Sequence, residues 1–203
     1  MALMHSNTML EPEMVANRKL RLFTLYADFP AGVRAKRLSG QITRLAGKDW
    51  EPSVEMWKLD AVSPIGHIKD MIAQEAGEAD VLLIASSASA QPDPATIRWL
   101  NSLAGWKAKR PVSGLLIGLL GDEERAAGAT DWMVTELALF ARRTQMDFVW
   151  HRAEHGALDH GDWLAAGVEN LLARKRSASA RPPAPQLPPD GASVQPRGSA
   201  AAK

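Results

Sequence analysis

Several stretches of this 203-residue chain carry side chains that could do chemistry. The first is Pro30-Ala31-Gly32-Val33-Arg34, read as a turn opening a helix. Glycine permits close backbone approach, and free N–H groups at a helix start attract anions. Arg34 and Lys36 add positive charge, so Gly32, Val33 and Arg34 are phosphate-binding candidates. The competing reading is an ordinary turn followed by a solvated basic helix face.

The second stretch is Ser86-Ser87-Ala88-Ser89. Small side chains there leave room for a planar ring, and Ser86, Ser87 and Ser89 offer it hydrogen bonds. No G-x-S-x-G elbow surrounds them, which argues against a serine nucleophile. His151, His155 and His160, with Glu154 and Asp159, suggest a metal site, but their spacing matches no tight ligand pattern. Surface histidines are the better reading, and no metal site is expected. Asp28 stands without the paired acids that a phosphoacceptor would need after strand one.

The elements that must position these residues follow from periodicity. Lys19–Tyr26, Val54–Leu59, Ala79–Ser87, Val112–Leu120 and Asp147–Trp150 read as strands. Between them lie helical stripes. Asp28–Gly32 reads as a turn before a helix over Val33–Ala46, with Ala35, Leu38, Ile42 and Leu45 inward. Ser63-Pro64 and Asp93-Pro94 read as an N-cap followed by proline at the first helical position. Thr130 is expected to cap the next helix, and Leu164, Val168, Leu171 and Leu172 mark the last.

The composition sets bounds. There is no cysteine, which removes disulfides, thiolate metal sites and cysteine nucleophiles. No long apolar run predicts a transmembrane segment, and Met1–Asn17 does not resemble a signal peptide. A cytoplasmic location is therefore expected. Residues 1–17 read as a flexible leader, 18–176 as one α/β domain, and 177–203 as a disordered Pro/Ala/Ser-rich tail. From Arg174 onward the chain has six basic residues and one acidic, so nucleic-acid contact is expected only weakly, through that tail.

Seven tryptophans are many for this length. Trp57, Trp99 and Trp150 are expected between helices and sheet. Trp50, Trp106, Trp132 and Trp163 lie near element ends, where they would cover sheet edges or form a surface for a protein partner or a homo-oligomer.

Strands rich in Leu, Ile and Val, alternating with five amphipathic helices, imply a five-stranded parallel sheet covered on both faces. The expected order is 2-1-3-4-5, with a ligand crevice between the carboxyl ends of strands one and three. That crevice would lie between Asp28–Arg34 and Ser86–Gln91. No G-x-G-x-x-G or P-loop pattern supports a dinucleotide or nucleoside triphosphate instead.

In element order over Leu20–Leu172, the chain resembles the NADPH-dependent FMN reductase branch of the flavodoxin-like proteins. Ile97-Arg98-Trp99-Leu100 is similar to that family's Asp-Trp-Leu helix, and Lys109-Arg110-Pro111-Val112 to its Gly-Lys-Pro-Val entry to strand four. Pro30–Arg34 stands where the family carries a phosphate-holding Gly-Ser-x-Arg-x-x-Ser loop. Ser86–Ser89 stands in place of its Pro-x-Tyr-Asn. The resemblance implies FMN, with NAD(P)H as co-substrate and hydride transfer to the flavin ring. It implies that Gly32, Val33 and Arg34 hold the phosphate, that Ser86, Ser87 and Ser89 border the ring, and that Gly121 and Asp122 close the far wall. The alternative is a non-catalytic interaction or regulatory module on the same fold.

Overall fold

The computed structural model describes residues 18–62, 66–87, 94–108, 114–121, 127–152 and 162–179. The parallel strands are β1 (Arg18–Tyr26), β2 (Trp50–Lys58), β3 (Val81–Ser86), β4 (Leu115–Leu120) and β5 (Asp147–Arg152). They form one sheet in the order β2-β1-β3-β4-β5, as the alternation of elements implies. The helices described are α1 (Phe29–Ala46), α2 (Leu59–Val62), α3 (Gly66–Glu78), α4 (Pro94–Ala108), α5 (Ala127–Thr144) and α6 (Asp162–Ser179).

The continuous apolar runs become the central strands. All six residues of β3 and all six of β4 are buried. Two cores form because successive side chains point to opposite faces. Phe23, Leu82, Ile84 and Leu116 pack with Trp99, Leu103 and Leu137 under α3, α4 and α5. Leu20, Leu22, Leu83 and Ile117 pack with Leu38, Ile42, Val168 and Leu171 under α1 and α6. Trp99, 1% exposed, is among the largest fully buried side chains.

Several boundaries differ from the sequence reading. Asp28–Gly32 is not a turn. Asp28 caps α1, which starts at Phe29 with Pro30 in its first turn. An aspartate cap followed by a first-turn proline is a helix start, the signal read at Asp93-Pro94 but passed over here. Strand β2 begins at Trp50, and Pro52 lies inside it, which an edge strand tolerates. Leu59 opens the four-residue α2, an additional helix. Thr130 lies inside α5 rather than at its cap. Strand β5 runs two residues further, to Arg152, and α6 takes in the first three residues assigned to the tail.

Two tryptophans exchange roles. Trp50 is buried, clamped between the Arg18 guanidinium 5.9 Å and the Lys175 ammonium 5.5 Å from its ring centroid. Trp150, on edge strand β5, is 42% exposed. Leu45, assigned to the apolar stripe of α1, is exposed as well.

Candidate functional site

Strands β1 and β3 are neighbours, and α1 begins where β1 ends. This places Asp28, Arg34 and Ser87 together at the carboxyl edge of the sheet. Asp28 is the centre of the cluster. Its Oδ1 accepts the Ala31 N–H at 2.8 Å and the Ser87 hydroxyl at 2.9 Å. Its Oδ2 accepts the Ser87 N–H at 3.3 Å. Arg34 Nη2 in turn donates to Ser87 Oγ at 3.4 Å. Partial burial raises the Asp28 pKa. The hydrogen bonds from Ala31 and Ser87 and the charge of Arg34 outweigh it and hold the carboxyl below its ordinary range.

The helix N-terminus is therefore already occupied. Pro30 has no N–H, the Ala31 N–H is bound to the carboxylate, and the Gly32 N–H donates to the Asp28 carbonyl at 2.9 Å. Gly32 is needed for a different reason from the one its sequence position suggests. A Cβ there would stand 2.9 Å from Tyr26 Cδ2, so glycine admits the tyrosine ring. Val33 is exposed to solvent.

Ser86 is buried and donates to the Ser87 carbonyl at 3.1 Å. Gly121 ends β4 with φ 86°, and its N–H donates to the Ser86 carbonyl at 2.9 Å. The predicted set thus splits. Arg34 and Ser87 meet, Ser86 and Gly121 brace the strand ends, and Gly32 and Val33 serve the helix. Ser89, Asp122, His155 and His160 lie outside the described residues. His151 stacks on Trp163, ring centroids 5.3 Å apart. No group of acidic or histidine side chains suited to a metal occurs among the described residues.

The residue that sequence reasoning missed is Asp28 in this role. Its signal was available: a capping aspartate at the position where the resembling family seats a phosphate. The flavin phosphate does not fit here, because a carboxylate holds the N–H and hydroxyl donors it would use.

The opposite edge of the sheet holds a second set of charges. Asp80, buried, accepts the Arg21 N–H at 2.8 Å and pairs with Lys175 at 2.5 Å. Lys107 is 1% exposed and donates to the carbonyls of Gly77, at 3.4 Å, and Ala79, capping the end of α3. Burial pushes its pKa down to about 8, against the favourable charge of Asp80. Nearby, a cavity of about 420 Å³ is lined by Arg21, Phe23, Glu51, Glu55, Glu75 and Glu78. Burial first, then the Glu55 carboxyl, raise the pKa of Glu75.

The parallel 2-1-3-4-5 sheet with helices on both faces defines a flavodoxin-like fold. No family model matches the chain, and no curated protein does. Solved structures are similar to it at low identity. A short-chain flavodoxin associated with a non-canonical PDU bacterial microcompartment is 11% identical, covering 76% of this chain and 98% of its own, with a TM-score of 0.49. A WrbA-like flavodoxin from Agrobacterium tumefaciens is 10% identical, covering 78% and 98%, with a TM-score of 0.48. Two-electron reduced Megasphaera elsdenii flavodoxin is 12% identical, covering 75% and 98%, with a TM-score of 0.46. No helix among the described residues is long and apolar enough to cross a membrane.

Proposed function

We propose that this chain is a non-catalytic flavodoxin-like interaction module whose phosphate position is filled in cis by Asp28. One observation carries the reading: the Asp28 carboxylate accepts the Ala31 N–H, the Ser87 N–H and the Ser87 hydroxyl. A phosphate entering that position would stand beside a carboxylate. At 4 Å and an effective dielectric of 20, each pair of unit charges repels by about 4 kcal/mol, roughly a thousandfold in affinity.

Contacts with a protein partner or a second copy fall most naturally on exposed aromatic surface. Trp106 and Trp150, on α4 and edge strand β5, are 44% and 42% exposed. Large aromatic side chains of this kind anchor interfaces.

The competing reading, an FMN-dependent NAD(P)H oxidoreductase, requires the phosphate to displace Asp28. Mixing the purified protein with FMN, desalting it and recording the visible spectrum separates the two. A colourless protein is expected. Retained flavin absorbance overturns the reading and leads to NAD(P)H turnover assays.

A further inference from the structure

The two edges of the sheet are built differently. Among the described residues, β2 and β5 each have one side without a neighbouring strand. Such an edge presents a row of N–H and C=O groups that can pair with another chain, and proteins blunt it with proline or charge. Strand β2 is blunted. The Arg18 N–H donates to the Asp49 carbonyl at 3.2 Å, which fixes the alternation along this ladder. Backbone groups of Glu51, Ser53 and Glu55 face β1, and those of Pro52, Val54 and Met56 face outward. The missing N–H of Pro52 thus falls where an added strand would need a donor. Glu51, Glu55 and Lys58 are exposed around it.

Strand β5, Asp-Phe-Val-Trp-His-Arg, carries no proline, lysine or glutamate. The Asp147 N–H donates to the Gly114 carbonyl at 2.9 Å. The same alternation therefore turns the backbone groups of Asp147, Val149 and His151 to β4, and those of Phe148, Trp150 and Arg152 outward. Phe148 packs with the layer under α3, α4 and α5, and Val149 with the layer under α1 and α6. Trp150 shares the α5 side with Gly118 of β4, where a Cβ would stand 3.3 Å from Trp150 Cβ and 3.2 Å from Leu137 Cδ1. Its ring is exposed at the edge.

This edge is complementary to itself. An added antiparallel strand must keep each side chain on its own face, which restricts the register to steps of two. With Val149 on a two-fold axis, Phe148 lies opposite the second copy's Trp150, and Asp147 opposite the second copy's His151. Phe148 and Trp150 then exchange their outward N–H and C=O groups as a hydrogen-bonded pair, and aromatic pairs across strands are favourable. The Asp147 carboxylate, which already pairs with Arg174, can accept from the second copy's imidazole, a ring held by its stack on Trp163. With Trp150 on the axis instead, Asp147 would face a position beyond the end of β5 and lose that partner.

We propose that two copies of this chain pair β5 to β5, antiparallel, about a two-fold axis through Val149, joining two five-stranded sheets into one. The inference rests on the interaction-module reading of the exposed aromatic surface and names its partner as a second copy.

Light scattering of the full-length protein across a concentration series should show a dimer in equilibrium with monomer. Trp150→Lys, a change at an exposed position, should raise the dimer Kd roughly thirtyfold or more, the least that a hot-spot aromatic contributes. The chain has no cysteine, so Val149→Cys reports the axis directly. Facing residues in a non-hydrogen-bonded pair have Cα atoms about 4.5 Å apart, within the reach of a disulfide. Val149→Cys should therefore oxidise to a covalent dimer, whereas Val54→Cys, exposed on the blunted edge, should stay monomeric under the same conditions. A protein that is monomeric at every concentration overturns the proposal. So does a dimer that Trp150→Lys leaves intact, and so does cross-linking as ready at Val54 as at Val149. Retained FMN in these samples would overturn the non-catalytic reading and leave the pairing standing; a colourless monomer would do the reverse.

Discussion

Replacing Asp28 by Asn tests the proposed role of this carboxylate most directly. Asparagine caps helices about as well as aspartate, so α1 should keep its start. Its Oδ1 can still accept the Ala31 N–H and the Ser87 hydroxyl, bonds of 2.8 and 2.9 Å in the native site. The charge is lost, and with it the long hydrogen bond from the Ser87 N–H to Oδ2, since the amide nitrogen of asparagine only donates; hydrogen bonds to a charged group exceed neutral ones by about 1 kcal/mol. A stability loss near ~1 kcal/mol at pH 7 is expected in urea denaturation. That loss should depend on pH. The folded carboxyl titrates below its ordinary value of 3.8. Its stabilisation is therefore complete above that pH and disappears as pH falls through the folded pKa, so wild type and variant should converge in acid.

The ligand effect is larger. Removing the carboxylate relieves a repulsion of about 4 kcal/mol per unit anion charge and leaves the Arg34 charge beside the site without its counter-charge. The variant should show a phosphate-dependent rise in Tm at concentrations where wild type shows none and where chloride has no effect. A D28N protein that folds, loses about 1 kcal/mol and responds to phosphate no more than wild type would refute the account of Asp28 as the occupant of an anion site.

Three further outcomes follow from the packing and the charges. Gly32→Ala gains about 1 kcal/mol of helix propensity but forces the Tyr26 ring aside at a cost of about 1–3 kcal/mol; the variant should be less stable in urea, and in a Tyr26→Ala background the same substitution should turn stabilising. Lys107 titrates near 8 in the fold against 10.5 ordinarily. The unfolded chain then holds more protons between those values, so stability should rise with pH across that window, and the slope should vanish in Lys107→Met when melts are compared from pH 7 to 10. Glu75 titrates above its ordinary 4.5, so its contribution is present below that pH and is lost as pH rises through the folded pKa. Glu75→Gln should therefore raise stability at pH 7 by some tenths of a kcal/mol, ~0.2–1, and change little at pH 4.

The sheet was legible in the sequence because its central strands are uninterrupted apolar runs. Only burial on both faces accommodates Val81–Ala85 and Leu115–Leu120, and the helices between them fix the parallel sense. The edge strands were less legible. Glu51, Pro52, Ser53 and Glu55 of β2 are exposed, so no periodic burial marked where that strand begins. The approach of Asp28–Arg34 to Ser87 was legible from topology, yet the cap at Asp28 was not, because a lone acid after strand one was weighed as a phosphoacceptor and not as a cap. The exchanged roles of Trp50 and Trp150 have a similar origin. Each depends on contacts from remote segments, Lys175 for the first and the missing neighbour of an edge strand for the second.

Lys175 has a consequence for the order in which the molecule is completed. Its ammonium reaches Asp80 before β3, the Lys19 carbonyl in β1 and the Trp50 ring in β2. The contact with Lys19 closes a separation of 156 residues. A chain emerging from the ribosome can form β1, α1, β2 and β3 early, but the apolar layer beside α1 stays open until Leu164, Val168, Leu171 and Leu172 arrive. A nascent chain stalled before α6 should therefore remain sensitive to protease and dependent on chaperones. Release of α6 closes the layer, and one lysine then binds three strands' worth of earlier synthesis into a single cooperative unit.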